Sequence, residues 1–97
     1  MIQGEASALR IELIVTHHKR RRSKLPYSAT AYLVDSSLPA PRDLIDAGRC
    51  EEAEGEEDAV RASLRDLQTR LNGRHDELVR SVLADPARVE MVRRQVG

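Results

Sequence analysis

Apolar and polar residues alternate over 8–16. Leu9, Ile11, Leu13 and Val15 fall on one side of an extended chain, with Arg10, Glu12, Ile14 and Thr16 on the other. A period of two sustained over this length predicts a strand with one buried face. The same period returns over 27–35, with Tyr27, Ala29, Ala31 and Leu33 on one face and Ser28, Thr30, Tyr32 and Val34 on the other. The two segments predict an antiparallel hairpin. Residues 17–25 between them are polar and basic, and Pro26 holds Leu25 extended, so the connection is longer than a tight two-residue turn and projects from the end of the sheet. Two prolines mark 36–41 as a turn. Over 43–52, Leu44 and Ile45 followed by Gly48 and Cys50 predict a third, edge-like strand.

The period then changes. Val60, Leu64, Leu67 and Leu71 are spaced by four, three and four residues, which places them on one stripe of a helix. Glu56, Glu57 and Asp58 stand where negative charge favours the positive end of a helix dipole, and Asn72-Gly73 supplies the left-handed stop. Glu57 with Arg61 and Asp66 with Arg70 are acid-first pairs four residues apart. A second helix is expected over 76–84, with Leu78, Val79, Val82 and Leu83 facing inward. Asp85-Pro86 predicts that a further helix begins there, carrying Val89, Val92 and Val96 as a narrow apolar stripe. One long coiled coil over 57–96 is disfavoured, because Gly73 and Pro86 interrupt it and Arg74 and Ser81 fall where apolar groups are required.

These elements define an α+β fold: a small antiparallel sheet of two strands and an edge-like third, followed by two or three helices packed on one face. At 97 residues a single domain is expected. Residues 1–7 form a loose N-terminus, 8–52 a β-rich half carrying the basic hairpin loop 17–25, and 56–97 a helical half. The hairpin followed by Gly55-Glu56-Glu57-Asp58-Ala59-Val60 and a helix resembles, in layout, the sheet-then-helix half of double-stranded RNA-binding domains and of HicB-like antitoxins. Glu56, Glu57 and Asp58 stand where the RNA-binding layout implies phosphate-gripping lysines, and this reversal of sign argues against transferring the RNA function.

Composition thins the core. Phe and Trp are absent and only Tyr27 and Tyr32 supply aromatic rings, so burial must come from Leu, Ile, Val and Ala. A light core favours recovery of buried area by self-association, and a homodimer is expected. With Cys50 as the single cysteine there is no internal disulfide, which makes a cytoplasmic location the expectation. No apolar run approaches the roughly 20 residues of a membrane span, and neither a cationic leader nor a small-residue cleavage site is present, so no membrane partner and no signal peptide are expected.

Net charge is zero, yet its distribution is uneven. Lys19, Arg20, Arg21, Arg22 and Lys24 place five cations within six residues, whereas Glu51, Glu52, Glu54, Glu56, Glu57 and Asp58 form an acidic run. The basic block is the candidate contact for a charged partner such as a phosphate backbone. The acidic run lacks the alternating ligands and central glycine of a calcium loop, and the start of a helix accounts for much of it. His17 and His18, being adjacent on an extended chain, point to opposite faces and cannot share an ion; without a paired Cys or His motif no zinc site is expected. Cys50 between Arg49 and Glu51 matches no nucleophile motif, and no glycine loop for phosphates is present. No catalytic residue, metal or cofactor is therefore expected.

The leading expectation is a small non-enzymatic interaction or regulatory accessory module of bacterial or phage type, self-associating through its C-terminal helices with Leu78, Val82, Val89, Val92 and Val96 as the association surface. The alternative is nucleic-acid binding through Lys19, Arg20, Arg21, Arg22 and Lys24, and an enzyme with an unrecognised site ranks third.

Overall fold

The computed structural model describes residues 8–20, 22 and 24–97; the expected loose terminus at 1–7, and Arg21 within the basic block, lie outside the described residues. Three strands come first: β1 (Leu9–His18), β2 (Tyr27–Asp35) and β3 (Leu44–Ala53). Helices α1 (Glu56–Leu71) and α2 (Asp76–Ala84) follow, then a single 3-10 turn (Pro86–Arg88) and a last strand, β4 (Met91–Val96). The sheet order is β3-β2-β1-β4. β1 and β2 pair antiparallel, as do β2 and β3, while β1 and β4 run parallel. The α+β class therefore holds, with a mixed four-stranded sheet and two helices on one face.

Two expectations are corrected. The sheet is not wholly antiparallel, and residues 86–96 do not form a third helix. Asp85-Pro86 starts only one 3-10 turn, after which the chain extends as β4. The physical reason lies in both partners. β1 has an edge whose backbone groups need acceptors and donors, and the β-branched Val92 and Val96 suit a pleated surface better than a helix. Met91 also packs against the core from β4, which a helix with its narrow stripe would not improve upon. β1 runs two residues further than expected, to His18, so the basic loop starts at Lys19.

The core lies between the sheet and the helices. Ile11, Leu13 and Val15 of β1 and Ala29, Ala31 and Leu33 of β2 meet Ala59, Val60, Leu64, Leu67 and Leu71 of α1, all buried. Val79 and Val82 of α2 join them, and Leu78 and Leu83 pack at the margin. A fully buried leucine contributes roughly 1.5–3 kcal/mol, so the stripe that the 4-3-4 spacing marks is the main apolar contribution of the helical half. α1 stops at Asn72, whose left-handed backbone (φ 51°) lets its N–H donate to the Gln68 and Thr69 carbonyls.

Helix and sheet come into backbone contact at Gly48 on β3. A β-carbon there would overlap the backbone nitrogen of Leu67 and the carbonyl oxygen of Ser63, so α1 lies directly on the strand. Ser63 is fully buried at this crossing and turns its hydroxyl back to donate to the Val60 carbonyl at 2.7 Å. Gly48→Ala is expected to destabilise the protein by about 3 kcal/mol, the upper end for overpacking, because helix backbone cannot step aside as a flexible side chain can. Chemical denaturation checks this; a loss below about 1 kcal/mol would mean that α1 is not seated on Gly48.

Candidate functional site

The two edges of the sheet differ in chemistry. Just before β4 the Glu90 carbonyl accepts from the Leu13 N–H (3.4 Å), and at its end the Val96 carbonyl accepts from the Lys19 N–H (2.8 Å). With the parallel register Leu13↔Met91 to His18↔Val96, the even-numbered residues of β4 therefore turn their backbone groups toward β1. Those of Met91, Arg93 and Gln95 point away from the sheet, and they have no partner among the described residues. At the opposite edge, the Arg49 N–H of β3 donates to Asp66 Oδ2 of α1 at 2.8 Å. That bond, followed by one from Arg70, holds the Asp66 carboxyl below its ordinary value. At β3 an outward-facing amide is thus taken up by the protein's own helix, whereas the edge at β4 is open among the described residues.

The open edge ends beside the basic block. Gln95, His17, Tyr27 and Ala53 stand in one row across the sheet, which puts the basic loop and the acidic connection to α1 at the same end. Lys19, Arg20, Arg22 and Lys24 are exposed there, and the Lys19 N–H bond ties the loop to the last residue of β4. Arg94 extends the cluster along the strand. None of these five cations takes part in an ion pair among the described residues. Val92, Arg94 and Val96 share the face of the sheet opposite the helices, with Val92 54% and Val96 45% exposed.

The five residues expected to form an association surface do not lie together. Val82 is in the core, Leu78 and Val89 are half-buried against it, and Val92 and Val96 are exposed on β4. Only the last two remain available on the surface, and they belong to a strand.

On the helix side of β4, Arg93 makes a two-pronged bond to Glu56 (Nε to Oε1 2.9 Å, Nη2 to Oε2 3.1 Å) at the start of α1. This pair separates a cleft of about 240 Å³, floored by Val60, Pro86, Ala87 and Met91, from a smaller one of about 120 Å³. The smaller cleft contains His17, stacked on Tyr27 with ring centroids 4.7 Å apart. His18 points to the other face, as adjacency requires, where its Nε2 shares a 2.8 Å hydrogen bond with Ser28 Oγ. No carboxylate completes that pair into a nucleophile triad among the described residues. The Cys50 thiol donates to the Glu52 carbonyl at 3.3 Å. No cluster of three or more metal-ligating side chains occurs among the described residues. No helix among them is long and apolar enough to cross a membrane.

Comparison of the chain with protein-family models, curated proteins and solved structures finds no match. The site therefore rests on its geometry. Sequence reasoning located the basic loop but missed the open edge, although the signal was present: Met91, Arg93 and Gln95 alternate with Val92, Arg94 and Val96 at the period of a strand.

The Asp66 cap carries a pH signature. A carboxyl lowered in the folded state contributes stability that is full above the ordinary value of 3.8 and is lost as pH falls through the lowered pKa. Asp66 is partly exposed, so screening limits the effect to about 0.5 kcal/mol or less. Asp66→Asn is expected to be less stable than the wild type at neutral pH, with the difference vanishing in acid; a difference independent of pH in denaturation series would contradict the cap.

Proposed function

We propose that this protein is a small, non-enzymatic interaction module that receives a protein partner along the outer edge of β4. The carrying observation is the asymmetry of the edges: at β3 the Arg49 amide is taken up by Asp66, whereas Met91, Arg93 and Gln95 present backbone donors and acceptors that have no partner among the described residues. An open strand edge is a template for pairing with another chain, and natural sheets protect those they do not use. The apolar Val92 and Val96 beside it supply side-chain contact. The self-association expected from the thin core has no third helix to use, and its two exposed residues, Val92 and Val96, serve the partner's strand in the present reading. A cytoplasmic setting suits a chain with one thiol and no disulfide.

Nucleic-acid binding is a second reading, favoured by Arg94, which lengthens the cationic surface beyond the loop. It predicts that replacing Arg20, Arg21 and Arg22 with alanine removes binding to single-stranded oligonucleotide and flattens its salt dependence, by a log-log slope of roughly 0.7–0.9 for each lost phosphate contact.

Gln95→Pro separates the readings. Proline removes an N–H that faces outward and leaves the bonds between β4 and β1 in place, so the fold is expected to survive. In pull-downs from the native host, a protein partner identified with the wild type should be lost with Gln95→Pro, while thermal unfolding stays within a few degrees. Equal recovery of nucleic acid by both forms, with no partner protein sensitive to the substitution, would replace the leading reading with the second.

A further inference from the structure

We infer that the occupant of the β4 edge is an extended acidic segment of a partner protein, running antiparallel to β4 with its N-terminal end over the basic loop. The inference rests on the edge-docking reading and adds the chemistry of the partner. It starts from register. Along β4 the face away from the helices reads Val92, Arg94, Val96, an apolar-cationic-apolar row at alternate positions. A strand added to the edge places its side chains opposite these, so the matching row is apolar, acidic, apolar with one residue between each.

Charge fixes the rest. Beyond Val96 the added strand runs toward the start of the basic loop at Lys19 and Arg20, whose side chains, like those of Arg22 and Lys24 further along it, are exposed and without ion pairs among the described residues. Continued acidic residues there meet complementary charge, whereas a basic segment meets repulsion. A second copy of β4 is the poorer occupant. Antiparallel pairing that sets Val92 against Val96 of the second copy brings the two Arg94 side chains directly opposite each other, and like charges so placed destabilise the pair. Main-chain bonds come from Met91, Arg93 and Gln95, whose groups point outward. On the helix side, the cleft floored by Val60, Pro86, Ala87 and Met91 is adjacent to the edge and has room for one apolar side chain of the added strand. Arg93 is held back by Glu56, which leaves Arg94 as the cation of β4 without an ion pair among the described residues.

The test uses a fluorescent peptide of sequence Asp-Glu-Glu-Val-Thr-Glu-Thr-Val with the intact protein. The same peptide N-methylated at alternate residues keeps its charge and loses its main-chain donors. The expected result is saturable binding that weakens with salt, falls at least tenfold with Arg94→Glu, and is abolished by Gln95→Pro and by N-methylation. Equal binding of the N-methylated peptide overturns the inference, because charge alone would then suffice. So does tighter binding of a 12-nucleotide single strand that is indifferent to Gln95→Pro, or a sedimenting dimer that Gln95→Pro dissociates. If a native partner is lost with Gln95→Pro while the acidic peptide does not bind, edge docking stands and the acidic occupant falls; if neither responds, both fall.

Discussion

The seat of α1 on Gly48 is the contact from which the rest of the architecture follows. With no β-carbon between them, helix and strand meet backbone to backbone, and the buried Ser63 at the crossing keeps the approach close. That position places Val60, Leu64, Leu67 and Leu71 over β1 and β2, where they close a core that has no Phe or Trp to fill it. It also brings Asp66 to the outer side of β3, within hydrogen-bond reach of the Arg49 N–H. One small residue thus sets how closely α1 lies on the sheet and brings Asp66 to the β3 edge.

The opposite edge receives no such cover among the described residues. α2 packs through Val79 and Val82 and ends before β4, and the 3-10 turn at Pro86–Arg88 delivers the chain to the side of β1. β4 satisfies the free edge of β1 and in doing so creates a new one. Its charge differs from that of β3, because Arg94 and the loop from Lys19 lie at its end, while Glu52 and Glu54 lie at the end of β3. At this end of the sheet the basic loop therefore stands beside the open edge and the acidic connection beside the end of β3.

Much of this was legible in the sequence. The alternation in β1 and β2, the helix stripe, the Asn72 stop and the bounds of α2 follow from local periodicity and capping, which depend on neighbours in the chain. The third strand was also legible, although Gly48 reads locally as a break; its reason is tertiary, the backbone of α1. The strand at Met91–Val96 was misread because Val89, Val92 and Val96 also fit a helical spacing and Asp85-Pro86 is a helix start. What decided between them was the unpaired edge of β1, some 80 residues earlier in the chain. The same non-local fact separates the residues of the expected association surface, sending Val82 to the core and Val92 and Val96 to the open face. The basic block was found but not its neighbour Arg94, since only the β1–β4 pairing brings them together.

The central claim is that one edge is capped and the other open, and amide hydrogen exchange of the free protein measures both at once. The Arg49 N–H, bonded to Asp66, is predicted to be protected although it lies on an edge strand. Along β4, Val92, Arg94 and Val96 should be protected, and Met91, Arg93 and Gln95 should exchange at rates close to those of an unfolded chain. Uniform protection along β4 in a monomer, or an Arg49 amide exchanging as fast as Gln95, would contradict the account.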